Sequence, residues 1–212
     1  MKMTFKILMA CILSFTVQAT TLTVDDFETD LSQWDVKSFK ALTDYEIIQE
    51  DDNQILQAVS EGTASGLIWK QDIDLEKTPY LNWRWKRGMA PVESFDETTK
   101  AGDDYIARIY VVTPTSVFKW APYSVSYVWS ANQDKATTWV NAYTSRVHNI
   151  AVNGAADPEG EWQVHKRNVA EDLQRIFGKN LRKIAAVAIM TDMDNTGLKA
   201  TAFYDDIYFS SE

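Results

Sequence analysis

The chain has 212 residues, 45% of them hydrophobic, and carries a formal charge of −9. That length suits one domain with a sizeable core. The acidic balance argues against nucleic acid and anionic membrane surfaces as partners, because like charge slows encounter, and leaves neutral, cationic or sugar-like partners open.

Residues 1–19 read as a secretory signal peptide: Lys2 and Lys6 start it, an apolar run extends from Ile7 to Val17, and Val17-Gln18-Ala19 supplies a small-residue cleavage site. The run is too short to span a bilayer as a helix. Residues 20–212 are then the β-sandwich domain, expected to be periplasmic or secreted. Cys11 is the only cysteine, so the mature chain enters an oxidising space without disulfides and depends on core burial, helped by a metal where one binds.

Strand-like runs dominate the mature chain: Val36–Phe39, Tyr45–Glu50, Ile55–Val59, Gly66–Lys70, Tyr80–Lys86, Tyr105–Val112, Val125–Ser130, Trp139–Tyr143, Arg146–Val152, Trp162–Arg167, Ile184–Thr191 and Ala202–Phe209. So many short strands predict an all-β fold, an antiparallel β-sandwich of jelly-roll type. Between them, Pro91–Asp103 is polar and reads as a mobile loop. One window is helical. Val169–Phe177 places Val169, Leu173 and Ile176 or Phe177 at helical spacing, Asn168 and Glu171 form a capping-box-like pair, and Gly178 ends it.

Alternation sorts the aromatic residues by face. Leu81, Trp83 and Trp85 share one face of their strand, while Asn82, Arg84 and Lys86 share the other. Val125, Tyr127 and Trp129 alternate with Ser124, Ser126, Val128 and Ser130. Tryptophan and tyrosine fill sandwich cores, and they also stack on sugar rings while polar neighbours take the hydroxyls. Trp83 and Trp85 read as core. Tyr127 and Trp129 are candidates for a ligand platform. Arg108 lies within an apolar strand and needs a partner, either Asp103, Asp104, Asp192 or Asp194 or a ligand.

The stretch Ala185–Gly197 begins as a buried strand and ends in an acidic loop with Asp192, Asp194 and Asn195. Such a loop can hold a cation, bind a hydroxyl-rich ligand or simply turn the chain. Its opening, Asp192, Asp194, Thr196 and Gly197 in D-x-D-x-T-G spacing, matches the start of an EF-hand calcium loop. The twelfth position is Phe203, so the bidentate Glu is missing. A second calcium candidate joins the chain ends, where Asp26, Glu28 and Asp205 could share one ion if the first and last strands are neighbours.

Catalysis finds little support. There is no G-x-S-x-G, and His148 and His165, the only histidines, lack a clustered ligand set for zinc. A pair of carboxylates from separate strands stays open.

Several segments read together resemble an exported bacterial family defined by a domain of unknown function. These are Leu81-x-Trp83-x-Trp85, Asp103 to Val112, Tyr127 to Ser130, Arg167-Asn168-Val169 and Val187 to Thr196. At lower specificity, Asp25 to Glu28 with Trp34, and Phe203 to Ile207, resemble the two ends of galactose-binding-like jelly rolls, which include many carbohydrate-binding modules. That resemblance implies a structural calcium at Glu28 and Asp205, with Asp26 near it.

The expected function is a non-catalytic binding protein for a saccharide or another polyhydroxylated ligand. Arg108, Tyr127, Trp129, Asp192, Asp194 and Asn195 would line the site. The competing classes are a carbohydrate-active enzyme using two carboxylates and an envelope accessory protein that docks another protein.

Overall fold

The computed structural model describes residues 19–91, 95–115 and 121–212. The leader therefore lies outside the described residues, apart from Ala19.

Two sheets face each other. The first contains β1 (Thr21–Asp25), β3 (Asp44–Glu50), β4 (Asn53–Glu61), β6 (Tyr80–Arg87), β11 (Gln163–Asn168) and β13 (Lys199–Ser210). Its strand order is β11-β6-β13-β4-β3, with β1 also pairing to β13. The second contains β2 (Trp34–Lys40), β5 (Ala64–Asp74), β7 (Tyr105–Val112), β8 (Ser124–Trp129), β9 (Thr138–Val140), β10 (Val147–Asn153) and β12 (Lys183–Asp192). Its order is β2-β5-β12-β7-β8-β10-β9. The twelve strands expected from the sequence all have counterparts, and β1 is an addition. It pairs antiparallel with β13, Thr21 opposite Ser210, so the first and last strands are neighbours.

The pairing is antiparallel with one exception, which alters the expected all-antiparallel arrangement. β8 and β10 run parallel, Ser124 opposite Val147. Parallel neighbours need a crossover of a dozen or more residues. Residues 130–146 supply it, and β9 within them folds back on the outer edge of β10.

Period-2 alternation builds the core. Trp83 and Trp85 point inward, meet edge to face at 5.4 Å between centroids, and pack against Tyr127 and Trp129 from the opposite sheet at 5.3 and 6.2 Å. Aromatic pairs at these separations add about 0.5–1.5 kcal/mol each beyond their buried area.

The one α-helix among the described residues, α1 (Val169–Phe177), has the bounds the sequence predicts. The Glu171 amide donates to Asn168 Oδ1 at 3.2 Å, and Gly178 closes the helix in the left-handed conformation at φ 64°. Val169 and Leu173 are buried against the sandwich.

The polar loop before β7 departs from expectation. Glu97 is buried, accepts from the Ser130 hydroxyl and from the Ala131 amide at 2.7 Å, and so pins residues 95–103 to the end of β8. An acidic residue in a polar stretch gives no sign of such anchoring, because its partners are more than thirty positions away.

Candidate functional site

The outer face of the seven-stranded sheet carries the site. On β7, Ala107, Ile109 and Val111 face the core, so Arg108 and Tyr110 emerge on the other side. β12 lies beside β7 with Met190 opposite Arg108. An irregularity in register then brings Asp192 opposite Tyr105. That shift swings the Asp192 carboxylate onto the guanidinium, with Nη1 to Oδ2 at 3.1 Å and to Oδ1 at 3.3 Å.

The loop after β12 is held by Asp104. One carboxylate oxygen accepts from the Asn195 backbone and side-chain amides at 3.1 and 3.0 Å. The other accepts from the Thr196 amide and hydroxyl at 2.7 and 2.6 Å. Gly197 allows the return at φ 72°, a conformation that disfavours any residue with a Cβ. From the crossover, Asn141 donates to both oxygens of Asp103 at 3.1 Å, and the Tyr143 hydroxyl donates to Asn195 Oδ1 at 2.8 Å.

Asp103, Asn141, Tyr143, Asp192 and Asn195 wall a cavity of about 380 Å³, which Phe39 from edge strand β2 and Tyr110 complete. Phe39 is 62% exposed and Tyr143 56%, so both rings are open to a ligand. A second, more apolar cavity of about 330 Å³ shares Phe39, Tyr110 and Met190 with the first and continues over Ile68 and Ala188. The two make one groove, polar at one end and apolar in its middle.

The electrostatics centre on Arg108, which is 1% exposed. It lies between two rings, its Cζ 4.0 Å from the Tyr105 centroid and 4.9 Å from that of Tyr110. Burial disfavours its charge, but Asp192, Tyr110 and Asp103 more than offset this and hold its pKa above the ordinary value. Its Nε and Nη2 have no hydrogen-bond acceptor, and the Asp103 carboxylate is 3.8 Å from Nη2. Asp192 is pushed up to about 8, by burial first and then by Asp104, Asp103 and Asp194, against the pull of Arg108.

Of the residues the sequence singled out, Arg108, Asp192, Asp194 and Asn195 meet here. Tyr127 and Trp129 do not. Both are on the core face of β8 at 0% exposure, with the Tyr127 hydroxyl donating to Asp172 at 3.0 Å. Alternation had placed them together but could not say on which side. An enclosed ring offers no face to a sugar. Asn141, Tyr143 and Phe39 carried no signal, because two come from irregular chain and one from an edge strand.

Asp104, Asp192 and Asp194 are the group of three carboxylates that converge among the described residues, with oxygens within 4.8 Å of one another. Asp104 and Asp192 already accept from Asn195, Thr196 and Arg108, and a calcium shell takes six to eight oxygens. The terminal set does not converge. Asp205 lies directly across the strand pair from Arg84, which bonds it from Nε at 3.1 Å and also from Nη2, and Asn53 donates to it at 2.6 Å. Glu28 instead accepts from the Gln54 amide at 3.1 Å, and Asp26 from the Glu28 amide at 3.3 Å. The side-chain partners of Asp205 are thus Arg84 and Asn53, with Glu28 and Asp26 bonded elsewhere.

The sequence model of a family described as protein of unknown function (DUF3047) matches residues 32–208. The chain belongs to this family. No curated protein matches it in sequence. Among solved structures it is similar to the family 11 carbohydrate-binding module of the cellulosomal cellulase Lic26A-Cel5E of Clostridium thermocellum, at 12% identity and a TM-score of 0.50, over 90% of this chain and 94% of that one. It is equally similar to the family 30 carbohydrate-binding module of Cel9D-Cel44B from the same organism, at 12% identity and a TM-score of 0.50, over 90% of this chain and 98% of that one. At such identity the likeness shows a shared β-sandwich fold.

Proposed function

We propose that this member of the DUF3047 family is an exported, non-catalytic binding protein for a saccharide or another polyhydroxylated ligand, held in the groove on the outer face of the seven-stranded sheet. The observation that carries the reading is the pair of open rings, Phe39 and Tyr143, beside the polar groups of one cavity wall. Arg108, buried behind that wall and paired with Asp192, holds the wall in place. Asp103, Asp194 and Asn195 add acceptors and donors, while Tyr143 and Phe39 offer exposed ring faces. A few placed polar groups around an apolar floor is the usual composition of a small-ligand site.

The two folds of similar shape come from carbohydrate-binding modules, which supports the ligand class without carrying it. A hydrolase would need two carboxylates facing each other across the cleft. Here the acidic groups gather on one wall and are taken up by Arg108, Asn195 and Thr196. Export rests on the leader at residues 1–19 and is tested by locating the mature protein after fractionation.

Isothermal titration against a panel of linear oligosaccharides tests the reading. The expected result is binding that Tyr143→Ala or Phe39→Ala weakens about tenfold or more, the loss of one stacked ring. A panel without a binder, or binding that both variants leave intact, would overturn it.

A further inference from the structure

The groove does not stop at its apolar middle. A third cavity, of about 400 Å³, shares Ala121, Pro122 and Arg146 with it and lies between the loop after α1 and the β7–β8 connection. Its walls carry Arg146, Arg182 and Lys183 with Tyr123, and among the described residues no carboxylate. The Tyr123 ring has Arg146 at 4.8 Å and Lys179 at 5.5 Å from its centroid.

Four cations at one place are unusual in a chain of charge −9. In the cavity beside β10 and β11, three of the four cations, Lys135, Arg167 and Arg175, pair with Asp157 at 2.5 Å and with Asp172 at 2.6 and 2.9 Å, and Lys166 lies over the Tyr80 ring at 4.6 Å. Lys179, Arg182 and Lys183 form no ion pair among the described residues. Asp74, opposite Lys183 in the strand register, is turned away toward Lys77 at 3.7 Å and the Glu76 amide at 3.0 Å. Arg146 Nη1 donates to the Ala121 carbonyl at 2.9 Å, which fixes its guanidinium at the junction of the two cavities.

We infer that the ligand is a linear oligosaccharide bearing carboxylate groups, with its anionic substituents at the Arg146, Arg182 and Lys183 end. This rests on the saccharide reading of the groove and narrows it. A chain lying along the groove meets polar groups at Asp194 and Asn195, apolar surface over Tyr110 and Ile68, and then the cations of the third cavity. Guanidinium groups match carboxylates in geometry and bond them about twice as strongly as neutral acceptors. The acidic body opposes such a ligand at long range, but at physiological ionic strength charges beyond about 8 Å are largely screened and the contact cations decide.

The test titrates the mature protein with hexagalacturonate and with cellohexaose, the acidic and neutral probes, and with inorganic phosphate. The expected result is a preference of about tenfold or more for the acidic hexamer, one charge-assisted contact. It should fall as salt rises and shrink to within about twofold in the Arg182→Gln/Lys183→Gln double variant. Both positions are exposed, so the variant should fold. Binding of the neutral hexamer with no acidic preference overturns this inference and leaves the groove's saccharide role standing. Binding of neither hexamer overturns both. A preference that survives in the double variant, or phosphate competing as strongly as the acidic hexamer, also overturns it, the latter by showing a plain anion site.

Discussion

Arg108 and Asp192 meet at 3.1 Å inside the wall of the groove, 1% and 2% exposed, on neighbouring strands that a register irregularity brings into line. Removing one partner leaves the other buried and unanswered. Above pH 8, where both groups are charged, Asp192→Ala is expected to cost about 3 kcal/mol or more. The double replacement Arg108→Met/Asp192→Leu should recover much of that, since neither charge is then stranded. Urea unfolding of the three proteins measures the difference. Equal losses in the single and double variants would mean that packing, not charge, sets the cost.

The same carboxyl sets a pH dependence. Asp192 has a folded pKa near 8 and an ordinary value of 3.8, so between these pH values the folded state holds a proton the unfolded state has released. Its contribution to stability is therefore fully present below about pH 4 and is lost as pH rises toward 8. Asp192→Asn should flatten the stability profile on that interval. A profile unchanged by the substitution would place the carboxyl's titration elsewhere.

His165 runs the other way. Burial, and then the nearby Lys135, lower its pKa from 6.5 to about 4. Its contribution is present above pH 6.5 and is lost as pH falls through 4, when the unfolded chain binds the proton first. His165→Gln, which can still bond the Asn153 side chain that His165 meets at 2.6 Å, should lessen the acid-side loss seen in thermal melts.

Trp129 and Tyr143 separate core from site. Trp129→Ala should destabilise by about 3–5 kcal/mol, as for other buried aromatic residues. Tyr143→Ala, at an exposed ring, should stay within about 0.5 kcal/mol and lose ligand instead. Denaturant midpoints paired with titrations check both halves. An unchanged midpoint for Trp129→Ala would contradict its place in the core.

Arg84 and Asp205 make the last case. With a guanidinium on Asp205, a chelator should leave the melting temperature within about 1 °C, a few tenths of a kcal/mol at this size. Arg84→Gln should lower stability by about 1–3 kcal/mol through the buried carboxylate it abandons. Calcium retained by protein purified without chelator, and a chelator-induced drop in melting temperature, would reverse that assignment.

Features that depend on near neighbours were legible in the sequence. The bounds of α1 stem from Asn168, the 3.6-residue spacing of Val169 and Leu173, and Gly178, all within ten positions. The two faces of β6 and β8 stem from alternation, since successive side chains point to opposite sides. The choice of which face of β8 becomes the core was made by pairing with β7 and β10 and by packing on Trp83 and Trp85 from the other sheet. That choice buried Tyr127 and Trp129 and left Arg108 to the groove. Tertiary structure also set Arg84 on Asp205, 121 positions apart, and carried Asn141 and Tyr143 to the Asp103 and Asn195 side chains. Composition and period report local geometry, whereas strand register and crossover loops join residues that share no local pattern.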